Sequence, residues 1–479
     1  MPTTQNSALA SIISQYNLDI SIVDVKEIEW FSRIDSEFYW KEIMDNERKI
    51  KEWKFEYFWN IWVSKGGCAY SSEEFGEWNI RIAKITDVSQ ENSFENWETI
   101  SDSEFNKFSS NPLQDGDILM SGTHHNPWDL GKVIYIKNIP NDRVYTWNQR
   151  VFRLRGKEDI LKSECLYCLL QSKAIRLQIE RYGRGNNQLN LNNEGIEALK
   201  IPLPSSSFQS SIASLVQTAH TEREKSKSLY AEAEQILLSE LGLADWKPTE
   251  ANIDIKTSED VRLFGRCDAE FFQPKYDEVI TKIQAYRNGF DTLENLIEVA
   301  TKQIRPIDEN IYQYCELADI DASLGLVSEF SEIQWKDLPS RARMKIREWD
   351  VLVSSVAGSS NKVALIKSHD DNLIASTGFF VLRPKAFSSE VNLVLMKSAF
   401  IQEFMKRTAR GMILSATNQD DFKKLLIPNI DTDTQKKISS LVISSHEARR
   451  LSKELLERAK RAVEMFIEED EEKARVFLW

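Results

Sequence analysis

Two stretches of the chain, one central and one near its end, place apolar residues at alternating steps of four and three. This spacing predicts two helices that each carry a heptad seam. Each pattern covers about 30 residues, which corresponds to a helix about 45 Å long. The seam residues are Phe208, Ile212, Leu215, Ala219, Leu229, Ala233 and Ile236 in the first stretch, and Thr434, Ile438, Leu441, Ser445, Leu455, Ala459, Ala462 and Phe466 in the second.

A seam this narrow needs a partner helix, and each of the two stretches is the obvious partner of the other. We therefore predict that the two helices pair. The alternative is that each helix packs only on its own domain. A rod of this length is better suited to holding two domains apart than to closing the core of one, so we expect a spacer.

Each of the two helices forms the C-terminal part of one copy of an internal repeat. Gly185 and Gly411 both follow an arginine, and they lie 226 positions apart. The same offset joins Ile201-Pro202 to Ile427-Pro428, and Gln209 to Gln435. Upstream, Asp117-Ile118-Leu119-Met120-Ser121 matches Asp350-Val351-Leu352-Val353-Ser354. A repeat of this length indicates a duplicated structural unit, so the chain is predicted to hold two similar domains.

Each repeated aspartate is predicted to begin a buried strand that ends in small polar residues. A loop and then a lysine follow, Lys132 in the first copy and Lys362 in the second. Loops presented by a rigid sheet often carry recognition, although a solvated lysine is the simpler alternative. A single helix is predicted for Leu161 to Tyr182, before the first Arg-Gly loop.

Composition limits the class of protein. The net charge of −13 and a pI of about 5.2 disfavour a simple non-specific DNA binder, which is usually basic. Five cysteines, no apolar run of membrane-spanning length and no export signal in Met1 to Tyr16 favour a cytoplasmic protein with reduced thiols. The aromatic residues within 41–110 are expected to fill a core rather than to stack on bases.

No catalytic or metal-binding residues are predicted. Cys165 and Cys168 form a lone pair without further ligands, and His124-His125 lacks a third ligand. The chain has no phosphate-binding loop, no glycine-rich turn for a methyl donor and no hydrolase or metalloprotease motif. These absences favour a binding protein. The alternatives are a single-chain DNA methyltransferase or nuclease with divergent motifs, and a coiled-coil scaffold that binds no DNA.

These repeated motifs resemble those of the specificity subunit of Type I restriction-modification systems. The resemblance rests on Asp-Ile-Leu-Met-Ser before Gly131-Lys132-Val133, on Arg-Gly before Ile201-Pro202-Leu203-Pro204, and on the glutamine and long helix that follow. It covers nearly the whole chain, but the second copy lacks the second proline of Ile-Pro-Leu-Pro.

The resemblance implies an α+β chain with two target recognition domains of mixed β-sheet and helices. It implies that the long helices pair as an antiparallel coiled coil, set the spacing between two half-sites and dock methyltransferase subunits. The expected divisions are 1–200, first recognition domain; 201–245, central helix; 246–426, second recognition domain; and 427–479, distal helix and acidic tail.

The expected partners are double-stranded DNA, methyltransferase subunits and a restriction-translocase subunit, with no membrane. S-adenosylmethionine, ATP and Mg²⁺ would belong to the partners, and this chain would need no cofactor. Arginine and lysine suit phosphates, and asparagine and glutamine suit adenine edges. We predict phosphate contacts from Arg184, Arg410, Lys132, Lys362 and Arg407, and base-edge contacts from Asn186, Asn187, Gln188, Asn361, Asn418 and Gln419.

Overall fold

A computed structural model shows two compact units, each built from both helices and strands. Unit 1 comprises residues Met1–Thr221 and Leu451–Trp479, and unit 2 comprises Glu222–Arg450. The predicted contacts Asn186 and Arg410 lie outside the described residues. The structure describes residues 37–90, 94–108, 112–126, 129–156, 159–185, 187–249, 253–305, 310–409 and 415–478.

Unit 1 alternates short strands with short helices before the first long helix. Its elements are, in chain order, α1 (Lys41–Glu52), β1 (Phe55–Tyr57), α2 (Phe58–Ile61), β2 (Trp62–Gly66), β3 (Phe75–Ala83), α3 (Ile85–Gln90), β4 (Glu98–Ile100), α4 (Asp102–Lys107), β5 (Ile118–Ser121), β6 (Thr123–His124), β7 (Val133–Tyr135), β8 (Val144–Trp147), β9 (Val151–Gly156), α5 (Ser163–Gln171), α6 (Lys173–Tyr182), β10 (Leu189–Asn190), α7 (Asn193–Glu197), β11 (Lys200–Pro202) and the start of α8 (Ser206–Glu240).

Unit 2 repeats this alternation, and the chain then returns to unit 1. The remaining elements are α9 (Ser258–Phe264), α10 (Pro274–Gln284), β12 (Phe290–Thr292), α11 (Leu293–Leu296), β13 (Glu298–Ala300), β14 (Ile311–Cys315), β15 (Ile320–Asp321), β16 (Leu326–Val327), β17 (Ser331–Gln334), β18 (Ala342–Lys345), β19 (Val351–Ser354), β20 (Val363–Leu365), β21 (Leu373–Ser376), β22 (Phe379–Arg383), α12 (Ser389–Lys397), α13 (Ala399–Thr408), α14 (Gln419–Lys423), β23 (Leu426–Pro428), α15 (Thr432–Glu468) and α16 (Glu471–Leu478).

The sheets of the two units share one topology. The antiparallel order β2-β9-β5-β7 in unit 1 corresponds to β13-β22-β19-β20 in unit 2, where β16 and β15 extend the sheet. A second sheet pairs β3 with β8 in parallel, as β14 pairs with β21. The Ile-Pro strands β11 and β23 each pair antiparallel with the strand that opens their unit. The predicted internal duplication is therefore present in the fold.

A buried ion pair recurs at the same place in both sheets. Asp117 precedes β5 and accepts two hydrogen bonds of 2.5 Å from Arg155 on β9. Asp350 precedes β19 and accepts one from Arg383 on β22 at 3.1 Å. Each carboxylate also accepts a backbone N–H three residues earlier, which closes the predicted turn. The two aspartates are almost completely buried, so they fix where the central strand starts.

The helix predicted from Leu161 to Tyr182 is in fact two helices, α5 and α6, and this prediction was wrong. The break falls at Ser172, whose backbone is extended and whose side chain accepts the N–H of Ile175. Serine is a favoured N-cap, and its hydroxyl offers the backbone an alternative to continuing the helix. Unit 2 breaks at Ser398, at the same offset, between α12 and α13.

The two long helices pair antiparallel, as predicted. Within unit 1, the ring of Phe208 near the start of α8 lies 5.6 Å from that of Phe466 near the end of α15. Further along, Ser452 Oγ donates a hydrogen bond of 2.7 Å to the carbonyl of Ala219. The order of partners therefore runs in opposite directions along the two helices. The α+β class with paired long helices is confirmed.

The paired helices meet through small side chains in unit 2 as well. The hydroxyl oxygens of Ser226 and Ser445 are 3.1 Å apart, and Ser445 Oγ also donates to the carbonyl of Ser226 at 2.7 Å. Both serines are fully buried. A side chain as short as serine reaches the partner's backbone only where the helices approach closely, so a large residue has no room at this position.

The buried seam is rotated by one residue from the predicted one at several positions. Val216, Tyr230, Leu237 and Val442 are buried, whereas their predicted neighbours are only partly buried. The reason is that each helix faces both its partner helix and the core of its unit, which widens the apolar stripe. The partly buried predicted residues are Leu215, Leu229, Ile236, Leu441 and Leu455; Phe208, Ile212, Ile438, Ala462 and Phe466 are fully buried.

The long helices also complete the core of each unit, contrary to the expectation that they act only as a spacer. Phe208 and Ile212 of α8 and Phe466 of α15 belong to the main core of unit 1. The later part of α8 and the early part of α15 enter the main core of unit 2. The compact units therefore do not follow the linear divisions at 200, 245 and 426, because both helices are divided between the units.

The acidic stretch at residues 468–472 ends α15 and begins a further helix, α16, and Glu468, Glu469 and Glu472 are exposed. Ala474 of α16 is completely buried in the core of unit 1. Glu471 accepts hydrogen bonds from the backbone and hydroxyl of Ser205, at the start of α8, and from Arg475. An apolar residue among the acidic ones, Ala474, was the signal for burial.

A buried cluster of charges links α1 to α6 and β11 in unit 1. Glu47 is ion-paired with both Arg181 and Lys200, and the exposed fraction of each side chain is 6% or less. Burial by itself would raise the pKa of Glu47, but Lys200 and Arg181 lower that pKa to about 2. Burial lowers the pKa of Lys200 in spite of this pairing. The cluster is therefore sensitive to protonation of its only carboxylate.

Replacing Ser445 by leucine tests the close helix contact. We expect Ser445→Leu to destabilise the protein by about 1–3 kcal/mol, because the added methyl groups meet the backbone of α8. The matched control is Ser444→Leu on the adjacent, exposed position of the same helix. The free energy of unfolding of each variant would be measured in urea. Equal values for the two variants would contradict a close approach of α8 and α15 at Ser445.

Acid should weaken unit 1 through Glu47. Its carboxylate is stabilised in the folded state, so this contribution is present above the ordinary pKa of 4.5 and is lost as the pH falls towards about 2. We expect the free energy of unfolding to fall more steeply over this range in the wild type than in Glu47→Gln. Parallel pH profiles of the two proteins would exclude the cluster as a source of acid sensitivity.

Candidate nucleic-acid interface

Two loops that are far apart in the sequence meet in unit 1. The loop after β5 forms β6, which pairs antiparallel with β10 from the loop after α6. In the latter loop, the backbone groups of Arg184 and Asn190 exchange hydrogen bonds of 3.0 and 2.8 Å. The predicted lysine loop and the predicted Arg-Gly loop therefore form one surface rather than two separate sites.

Gly185 makes the tight turn in this surface possible. Its φ of 127° lies in a region that side chains with a Cβ rarely adopt, and an added Cβ would lie 2.1 Å from the carbonyl oxygen of Gln188. The turn places Arg184 and Asn187 on the surface, both with exposed side chains. The glycine of the repeated Arg-Gly motif thus has a conformational role, and the side chain of the arginine is exposed.

Polar side chains join the two loops across this surface. Thr123 Oγ1 donates to Asn190 Oδ1 at 3.0 Å, and His125 Nδ1 lies 2.8 Å from the carbonyl oxygen of Asn187. Lys132 is exposed and pairs with Asp129 at 2.6 Å. The Lys132 ammonium lowers the pKa of Asp129, so this carboxylate is ionised at neutral pH. The surface is therefore rich in hydrogen-bond donors and acceptors but has little net charge.

Unit 2 brings the corresponding loops together. Val356, in the loop after β19, bridges Ala416, which follows α13. The N–H of Ala357 donates to the carbonyl of Ser415, and the N–H of Thr417 donates to that of Ser355, both at 2.9 Å. The same pair of loops is thus joined by backbone hydrogen bonds in both units.

The predicted contact residues of unit 2 have mixed environments. Asn361 and Asn418 are exposed, and Lys362 and Gln419 are partly buried. Lys362 Nζ donates to the carbonyl of Ile320 at 2.7 Å. Asn418 is the N-cap of α14, where its side chain accepts the N–H of Asp421. Gln188, the remaining described candidate in unit 1, is also partly buried.

Arg407, which we predicted to contact phosphate, is buried and held by its own unit. Its Nε donates to the carbonyl of Phe271 at 3.0 Å, and its guanidinium lies 4.3 Å from the ring centre of that residue. Arg181 has the equivalent position in unit 1 and packs on Phe38 at 4.1 Å. An arginine on an inward-facing turn of α13 therefore stabilises the unit, and the predicted phosphate contact does not fit this position.

Two surface features were not predicted from the sequence. In unit 1, exposed Trp78 lines a cleft of about 670 Å³ together with Arg81 and Arg143. In unit 2, cations alternate with apolar residues along Arg341-Ala342-Arg343-Met344-Lys345. Strict alternation is the signature of a strand with one buried face, so the period of two could have revealed the second feature.

The cysteine pair lies in the core of unit 1. Cys165 and Cys168 are on α5 with both side chains buried. Burial raises the pKa of Cys168 to about 12 and also raises that of Cys165 well above its ordinary value. Both therefore remain thiols, which neither attack electrophiles nor bind metal readily. Among the described residues, no group of three histidine, cysteine or acidic side chains is placed to hold a metal ion.

The family model described as the Type I restriction modification DNA specificity domain matches residues 60–235. The Type I restriction enzyme HindI specificity subunit of Haemophilus influenzae is 22% identical over 165 residues. Over residues 60–235 the chain is therefore similar to the Type I restriction-modification specificity family. The match with the HindI subunit covers 33% of this chain and only 31% of that protein, so the chain spans about a third of this relative's length.

Solved structures of this family also align with the chain. The S subunit of the Type I restriction-modification system from M. genitalium is 13% identical, with a TM-score of 0.42, over 87% of this chain and 96% of that chain. The HsdS subunit from Thermoanaerobacter tengcongensis is 14% identical, with a TM-score of 0.25, over 88% and 96%. In the part of the chain that the structure describes, no helix is both long and apolar enough to span a bilayer.

The Gly185→Ala variant tests the turn that presents Arg184. We expect trypsin to cleave after Arg184 faster in this variant, because the added Cβ cannot be placed without opening the turn. Gly358→Ala is the control, in the loop after β19 of unit 2, where a Cβ would meet nothing within 4 Å. Unchanged cleavage at Arg184 in Gly185→Ala would show that the turn tolerates a side chain.

Proposed function

We propose that this chain is the sequence-reading, non-catalytic subunit of a Type I restriction-modification complex. Each unit reads one half of a bipartite site in double-stranded DNA. The paired helices set the number of unread base pairs between the halves and dock the methyltransferase subunits. The methyl donor, ATP and Mg²⁺ are bound by the methyltransferase and restriction-translocase partners.

The observation that carries this proposal is the same two-loop surface in both units. Each is held by backbone hydrogen bonds, at β6–β10 in unit 1 and at Val356–Ala416 in unit 2. The backbone is thus fixed by the repeat, while the side chains differ: His124 and His125 occur only in the first copy. A constant backbone that carries different side chains suits two units that recognise different base sequences.

The chemistry of the exposed side chains fits reading of base edges in unit 1. Asn187 and Gln188 offer an amide donor and acceptor, the combination that pairs with adenine in the major groove. Arg184 offers a fork of donors for guanine or phosphate. Lys132 is paired with Asp129, so it would position the backbone of DNA only by exchanging this partner.

The long helices are suited to join two readers and to receive a partner. Each helix contributes to the core of both units, so its length is tied to both. On α15, Ile443 and Leu451 are exposed although both are large and apolar. Exposed apolar residues on a charged helix are typical of protein contacts. In a two-headed reader the separation of the heads fixes the half-site spacing.

Mapping of methylated bases tests the proposal. The full chain would be expressed together with cognate Type I methyltransferase subunits, and modified positions would be read across the host genome. We expect a two-part motif with a constant gap. Asn187→Ala with Gln188→Ala should relax one half, by about 1–3 kcal/mol of discrimination per lost base contact.

The matched control is Asn361→Ala with Asn418→Ala, which should leave the first half unchanged. A contiguous motif, or the same change of both halves by the unit 1 variant, would contradict the division of labour. Methylation by the chain alone, with donor and DNA, would show instead that it is an enzyme.

A further inference from the structure

We propose that unit 2 anchors duplex DNA through a phosphate-binding strip that has no counterpart in unit 1. The strip consists of Arg341, Arg343 and Lys345, on and beside β18, together with Lys302 on the neighbouring segment. The proposal rests on the proposed function, since it names the surface through which one unit is held on DNA without regard to sequence.

The cations of the strip lie on one side of a strand. Arg341 and Lys345 are exposed and Arg343 is partly buried, whereas the intervening Ala342 and Met344 are buried. The strand thus presents a positive row outward and packs its apolar row inward. β18 is the last strand of its sheet, beyond β21.

A second segment adds a like charge directly beside this row. Gln303 bridges Met344 in antiparallel register, and the N–H of Ile304 donates to the carbonyl of Arg343 at 2.9 Å. This register places Lys302 opposite Lys345. Like charges directly opposite each other on neighbouring strands are destabilising. A bound polyanion would remove this cost, which is why the arrangement points to a ligand.

No carboxylate neutralises the strip within the described part of the chain. Lys302, Arg341, Arg343 and Lys345 are absent from the ion pairs of that part, whereas Lys406 and Arg450, for example, pair with Glu403 and Glu447. Arg347, the next cation along, is different because it lies 3.6 Å from Asp350. In a chain of net charge −13, an unneutralised positive strip would determine the orientation in which duplex DNA approaches the protein.

Unit 1 has nothing equivalent at these positions. The repeat aligns Asp117 with Asp350, and this offset of 233 places Phe108, Ser110 and Pro112 opposite Arg341, Arg343 and Lys345. The backbone relation is kept, because the N–H of Leu113 donates to the carbonyl of Tyr145 on β8, the counterpart of β21. At these three positions the first copy carries no charged residue, whereas the second carries three cations.

The strip has the dimensions for several phosphate contacts. From Arg341 to Lys345 the strand spans about 13 Å at about 3.3 Å per residue, and one DNA strand presents a phosphate at about every 3.4 Å along the axis. Such contacts supply affinity and orientation but no base discrimination. Unit 2 would therefore contribute most of the salt-sensitive binding, and the two-loop surfaces would contribute the sequence preference.

Salt dependence of binding tests the strip. The full chain would be titrated with a 30-bp duplex of arbitrary sequence at several salt concentrations. Replacing Arg341, Arg343 and Lys345 by glutamine should reduce the slope of log affinity against log salt by about 2–3, because each phosphate contact contributes about 0.9. The matched control replaces Lys436, Lys437 and Lys453, three exposed lysines of α15, by glutamine.

Folding is checked separately with Lys302→Gln, which removes only the like-charge neighbour. This variant should melt at the wild-type temperature or higher and should still lose about one unit of slope. A triple variant that loses no more slope than the lysine control would overturn the strip. So would equal competition by single-stranded RNA, since the assigned ligand is duplex DNA.

Absence of duplex binding by the wild-type chain at low salt would also overturn the strip. The proposed function would then still be decided by the methylation map of the complex, in which partner subunits contribute their own contacts. Conversely, a bipartite map with an unchanged salt slope would keep the function and reject the strip. The two failures are therefore distinguishable.

Discussion

Close packing of the two long helices is the constraint on which both compact units depend. Small residues face each other along this contact, with Ser226 against Ser445 and Ala219 against Ser452. Because the helices run antiparallel, the beginning of α8 and the end of α15 complete the same core. Each unit therefore contains parts of both long helices, and neither repeat supplies a whole unit by itself.

Several of the repeated residues support the fold. Gln209 donates to the carbonyl of Pro204 at the start of α8, and Gln435 donates to that of Ile430 before α15. Asp117 and Asp350 hold the central strands, and Ser172 and Ser398 break the helices at the same place. These groups bury polar atoms with their partners satisfied, which fixes one geometry for both units. Different ligands can then be read by changing only exposed side chains.

The sequence predicted the duplication, the two long helices and the two loops, since each has a local pattern. It did not predict that Arg407 is buried, because a charged residue next to the Arg-Gly loop looks the same whether it faces solvent or Phe271. The exact seam positions depend on what each helix packs against, so Leu229 and Leu455 are less buried than the heptads suggested. The helix α16 was not predicted, because it depends on the burial of Ala474 and on hydrogen bonds with the distant Ser205. The alternation from Arg341 to Lys345 lies outside the repeated motifs from which the contact residues were predicted.

The most direct test of helix pairing is a disulfide between Ser226→Cys and Ser445→Cys, in a background where exposed Cys267 is replaced by serine. The hydroxyl oxygens are 3.1 Å apart, so mild oxidation should close an intramolecular bridge, seen as faster migration in non-reducing gels. A pair at the exposed positions Ser228 and Ser444 should remain reduced under the same conditions. Failure of the first pair to close, or equal closure of the second, would contradict the antiparallel contact.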